Sequence, residues 1–125
     1  MTLLEECIQV FGNDIIVFDR EESDKLFSYF ESLVDFTWYG KVDKNKYPNR
    51  KCLDVEKLSE IIFSEHCFIF WDEGTLPVLK VDFSQFVENQ YDVLAVSYQT
   101  WVLNDENDLL IEFLSNGEVN LYELG

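Results

Sequence analysis

Basic residues are scarce in this chain: nine Lys and Arg stand against 25 Asp and Glu, with a single His. A formal net charge of −16 repels phosphate backbones and anionic membranes, which disfavours direct binding of nucleic acid or lipid. Proline and glycine are few, two and five residues, and they form no linker or low-complexity tract. The cysteines, Cys7, Cys52 and Cys67, are odd in number and lack paired spacing. They read as reduced, mostly buried thiols rather than a disulfide framework. No apolar run approaches the roughly 18–20 residues of a membrane span. The opening, Met1-Thr2-Leu3-Leu4-Glu5-Glu6, has neither the basic nor the apolar region of a secretory signal. A cytoplasmic location is the expectation.

The motifs of common chemistries are missing too. There is no G-x-G-x-x-G and no P-loop. His66 adjoins Cys67, but neighbouring strand residues point to opposite faces, so the pair is poorly placed as a catalytic dyad. Asn104-Asp105-Glu106-Asn107-Asp108 lacks the glycine and terminal glutamate of a calcium loop and reads as a solvated turn. No cofactor, metal or catalytic residue is expected.

Apolar residues make up 47% of the 125 residues and aromatics 16%, enough for one core and one domain over residues 1–125. Charge is segregated along the chain. Six of the nine bases fall between Lys41 and Lys57, and from Val81 to Gly125 there is no Lys or Arg. That stretch carries Asp82, Glu88, Asp92, Asp105, Glu106, Asp108, Glu112, Glu118 and Glu123. Such self-repulsion works against folding, and it would draw in a basic partner.

Helix starts are legible. Thr2-x-x-Glu5 is a capping box ahead of Leu4, Cys7, Ile8 and Phe11, with Gly12 as the stop. Asp19-x-x-Glu22 opens a second helix with Leu26, Phe27, Phe30, Leu33 and Val34 on one face. Asp54 caps a third, and Asp82-x-x-Gln85 a fourth. Ile15–Phe18 reads as a short buried strand, and residues 36–52 as a wet basic loop broken at Tyr47-Pro48-Asn49.

Strands cluster later. His66–Asp72 is apolar on both faces and belongs inside the sheet. A tight Glu73-Gly74 turn, pairing Asp72 with Thr75, sets Phe70 opposite Pro77 and Phe68 opposite Leu79. Val96–Leu103, Asp108–Leu114 and Glu118–Leu124 form a meander. Closing its first turn on Leu103 and Asp108 pairs Val102 with Leu109 and Thr100 with Ile111; closing the second on Leu114 and Glu118 pairs Phe113 with Val119. The expected fold is α+β: a mostly antiparallel sheet of five or six strands, with this three-stranded meander at its C-terminal end and four packing helices.

One face of the meander is a coherent core. The other carries a row of Gln99, Glu112 and Asn120 beside a row of Trp101, Leu110 and Tyr122. Two readings are open for it. It is an interaction surface, with aromatic anchors beside carboxylate and amide acceptors. Alternatively, the fourth helix or the loop at 36–52 covers it, and Trp101 and Leu110 are ordinary core. Tyr122 and Glu112 are the members hardest to bury. A second candidate is Trp38-Tyr39-Gly40, for which packing over the core edge is the expectation.

Phe70-Trp71-Asp72, Leu76-Pro77-Val78-Leu79-Lys80-Val81-Asp82, Tyr91-Asp92-Val93-Leu94-Ala95-Val96-Ser97, Thr100-Trp101, Ile111-Glu112-Phe113 and Gly117-Glu118-Val119 together resemble bacterial immunity proteins of contact-dependent growth inhibition and related polymorphic toxin systems. The likeness covers roughly residues 66–122. It implies a small cytosolic protein, not an enzyme, that binds and blocks a cognate toxin domain, often a basic nuclease.

Residues expected at the partner are Gln99, Trp101, Asp108, Leu110, Glu112, Glu118, Asn120 and Tyr122. The partner that the resemblance implies is the toxin's C-terminal domain; no nucleic acid or membrane is expected to take part, and a monomer is expected when free. An acidic mimic of nucleic acid, or less favoured a small carboxylate-dependent enzyme, is the alternative.

Overall fold

Seven antiparallel strands form one sheet in the computed structural model, which describes residues 1–124. In chain order the elements are α1 (Leu3–Phe11), β1 (Ile16–Val17), α2 (Arg20–Leu33), β2 (Lys51–Cys52), β3 (His66–Trp71), β4 (Leu79–Asp82), α3 (Phe83–Glu88), α4 (Gln90–Leu94), β5 (Thr100–Asn104), β6 (Leu109–Phe113) and β7 (Val119–Glu123). Two 3₁₀ turns, Lys44–Lys46 and Val55–Glu60, lie in the connections. The sheet order is β1-β4-β3-β5-β6-β7-β2. This bears out the α+β architecture, with one strand beyond the expected five or six because the two-residue β2, at the end of the segment read as a loop, closes one edge.

The capping signals act as read. Thr2 and Glu5 exchange side-chain and backbone hydrogen bonds, and Gly12 ends α1 in a left-handed conformation that only glycine adopts freely. Asp19 accepts from the Glu22 N–H at 2.8 Å to start α2. Asp54 caps a 3₁₀ turn rather than an α-helix. Asp82 caps nothing with its side chain, which faces His66 instead at 3.1 Å, and the fourth helix breaks at Asn89 into α3 and α4. Val17 and Ile16 are exposed, not buried, because β1 is an edge strand.

Register differs in two places. The meander's first turn closes on Asn104 and Leu109, so Val102 faces Ile111 and Trp101 faces Glu112. The expected pairing is off by two residues, which leaves every side chain on its expected face. Asn104 causes the shift: its side-chain oxygen accepts from the N–H groups of Asp108 at 2.9 Å and Leu109 at 3.0 Å, and Asn107 takes a left-handed φ of 61°. In the β3–β4 hairpin the slip is one residue: Ile69 rather than Phe68 faces Leu79, and Phe68 faces Lys80. Pro77 has no N–H to give a ladder, and the Val78 N–H goes to the Ser23 hydroxyl, so residues 72–78 form a wider loop than a tight turn.

Both faces of the sheet are covered. On one, α1, α3, α4 and the Val55–Glu60 turn pack on Cys67, Ile69, Trp71, Val102, Ile111 and Phe113. On the other, α2 and residues 36–47 pack on Phe70, Trp101, Leu103, Leu110 and Tyr122. Cys7 and Cys67 are sealed inside, whereas Cys52 is exposed. Burial, with Asp92 nearby, pushes the Cys7 thiol up to about 12; burial, with Asp82 and Asp105 nearby, also raises that of Cys67.

Candidate functional site

The second face of the meander is closed, not open. Trp101, Leu110, Glu112, Asn120 and Tyr122 are all buried. Of the two readings open for this face, cover is the one the structure shows, and it comes from α2 and the 36–52 loop rather than from the fourth helix. Helix α2 stacks Phe30 on Phe70 at 4.3 Å between ring centroids and sets it 5.7 Å from Trp101. The basic segment then crosses the meander as a strap, with Phe36 edge-on to Trp101 at 5.5 Å and Tyr47 edge-on to Tyr122 at 5.2 Å.

Glu112 is the polar anchor of that strap. One carboxylate oxygen accepts from the Val42 N–H at 2.8 Å and the Trp101 indole N–H at 3.0 Å; the other accepts from the Tyr122 hydroxyl at 3.3 Å. Desolvation raises its pKa above the ordinary carboxylate value, and the three hydrogen bonds and the Lys44 charge oppose that rise. Burial is likewise what raises the Tyr122 phenol, with the Glu112 charge adding to it.

Further along, Lys44 pairs with Glu118, and an Arg50 guanidinium N–H donates to the Asn120 side-chain oxygen at 2.7 Å. The Asn120 amide in turn donates to Glu118 at 2.7 Å. Lys44 is also the first cause of the lowered Glu118 pKa. The strap's bases thus take up part of the C-terminal acidity within the molecule. The segregation of bases into residues 41–57 was the sequence signal for this pairing.

Of the expected contact residues, Asp108 is exposed, Glu118 and Gln99 are partly so, and the other five lie beneath the strap and α2. The structure does not bring the eight together on one accessible patch. Nor does it assemble a Cys–His pair: Cys67 is fully buried, while His66 is partly exposed and faces Asp82.

What the structure leaves open is an aromatic tip. Trp38 is 95% exposed and Tyr39 56%, against the expectation that they pack over the core edge. They occupy the two central positions of a turn closed by Gly40 N–H to Thr37 O at 3.2 Å and Thr37 N–H to Lys41 O at 2.7 Å. Gly40 has a φ of 83°, so it supplies the left-handed residue this arm requires. The two rings meet edge to face at 5.3 Å.

Between this arm and α2 runs a groove of about 470 Å³, lined by Phe27 and Glu31 of α2, by Trp38 and Tyr39 of the arm, and by Asp72, Gln99 and Trp101. A second depression of about 320 Å³ continues along α2 past Asp24 and shares Phe27, Glu31 and Asp72. Neither is lined by a Lys or Arg. Glu31 and Asp72 escaped the sequence reading because nothing local marks an acidic residue on a helix's polar face, or one in the loop after a strand, as groove-facing. The available signal was Trp-Tyr at turn centres, where Asn, Gly, Pro or Asp ordinarily sits.

A family model described as CdiI immunity protein EcoliA0-like matches residues 1–122. No curated protein matches the chain.

Proposed function

Because the chain belongs to the CdiI immunity protein family, we propose that it is a stoichiometric inhibitor of a cognate toxin domain that is a basic nuclease. It acts in the cytoplasm as a monomer until the toxin binds, and it occupies the toxin by contact rather than by turnover. The observation that carries the cationic partner is the charge: −16 overall, with a final forty-five residues free of Lys and Arg. The internal pairs Lys44–Glu118 and Lys80–Asp105 leave most of that excess uncompensated. Asp108 and Gln99 remain accessible for contact. Trp101, Leu110, Glu112, Asn120 and Tyr122 serve from below, by holding the strap and its aromatic tip in place.

The test is to purify the chain with the toxin domain encoded immediately upstream and titrate one against the other. A 1:1 complex that suppresses cleavage of RNA or DNA is expected. Failure to associate even at low salt removes the inhibitor reading. A complex with a toxin that cleaves no nucleic acid removes the nuclease.

A further inference from the structure

We propose that the groove between α2 and the Thr37–Lys41 arm receives an arginine-bearing segment of the toxin domain, seated against Trp38 and held by Glu31 and Asp72. This rests on the reading of the chain as a toxin-binding protein and says where that contact is made.

Four observations converge on the groove. Trp38 is almost wholly in water, though it is among the residues with most to gain from burial. Its place in the turn explains neither its size nor its exposure, since the turn needs only Gly40 and the Thr37–Lys41 hydrogen bonds. Large aromatics with polar edges are the residues that dominate binding energy at protein interfaces.

The acids facing Trp38 have no cation of their own. Among the described residues, Arg20 pairs with Asp24, Lys25 with Glu21, Lys44 with Glu118 and Lys80 with Asp105, while Glu31 and Asp72 pair with none. Asp72 is fixed in place, because one oxygen accepts from the Ser97 hydroxyl at 2.5 Å and from the Gln99 N–H at 3.2 Å.

Gln99 lines the groove beside them, and its backbone N–H is one of the two donors that hold Asp72.

The occupant follows from that chemistry. A flat aromatic surface beside two carboxylates suits a guanidinium. It stacks on aromatic faces, is weakly hydrated and presents several donors in one plane. A lysine would satisfy the charge but not the ring.

The three tryptophans make the test direct, because Trp71 and Trp101 are buried and Trp38 is not. The chain is labelled with 5-fluorotryptophan, the Trp38 ¹⁹F resonance is assigned with a Trp38→Phe variant, and the unlabelled toxin domain is added. The Trp38 resonance should shift while that of Trp71, on the other face of the sheet, holds. In parallel, Trp38→Ala should weaken binding by about thirtyfold, a typical hot-spot loss. Glu31→Lys should weaken it about tenfold, and more than Glu6→Lys, an equal charge change on α1 across the sheet. Both groove residues are exposed, so unchanged melting of these variants is expected and confirms that folding is intact.

A full-affinity complex in which the Trp38 resonance does not move overturns the groove alone. So does a Trp38 shift that depends on the chain's own concentration without toxin, which would mean a second copy fills the groove. Absence of any complex overturns the toxin reading, and the groove with it.

Discussion

A carboxylate sealed from water needs its donors from the chain, and Glu112 takes them from three separate places: the strap, β5 and β7. Glu112→Gln keeps this arrangement, since one amide oxygen can accept from Val42 and Trp101 while the amide nitrogen donates to the Tyr122 oxygen. Glu112→Ala leaves the Val42 and Trp101 N–H groups unpaired and should cost about 3 kcal/mol in urea unfolding. The pH dependence has a definite sign. The folded pKa of Glu112 is raised, so between its unfolded and folded values the native state holds the extra proton. Stability from this residue therefore falls as pH rises through that window. Glu118 has the opposite sign: its folded pKa is lowered, and its contribution is present above the unfolded value and lost as pH falls through the folded one. Urea midpoints from about pH 4 to 8 should show the Glu112→Gln variant gaining on the native chain as pH rises.

At the scale of elements, α2 and the strap do on one face what α1, α3 and α4 do on the other. The difference is that the strap has almost no regular structure and relies on aromatic contacts and borrowed acceptors. Its partner α2 depends on its first turn. Asp19→Ala removes the acceptor for the Glu22 N–H and should destabilise the protein by about 1 kcal/mol, read from the thermal midpoint. Caps of this kind were legible because they are local: Thr2, Asp19 and Gly12 each satisfy a rule spanning a few residues. Register was less legible. Asn104 and Pro77 each decide it through hydrogen bonds made or withheld, and alternation alone cannot detect a two-residue slip, nor a one-residue slip in a strand such as β3 that is apolar on both faces. The cover over Trp101 was open in the sequence because residues 36–47 carry no periodicity that would aim them at the sheet.

For the whole molecule, charge is the property that survives every correction. It should act chiefly on encounter: the association rate with the toxin domain should fall steeply as salt rises, while dissociation changes little. Stopped-flow traces at two ionic strengths would separate the two. The acidic excess and its segregation were fully legible in the sequence. What they do was only half legible, because Lys44 and Arg50 answer to Glu118 and Asn120 from 74 and 70 residues away, a distance no motif spans.

Those same separations govern the birth of the protein. Val42 and Arg50 of the basic segment are each translated 70 residues before their partners, Glu112 and Asn120. Until then Phe36, Val42 and Tyr47 have no meander to settle on. A nascent chain that stops short of Glu112 therefore cannot hold the Trp38–Tyr39 tip in its native place.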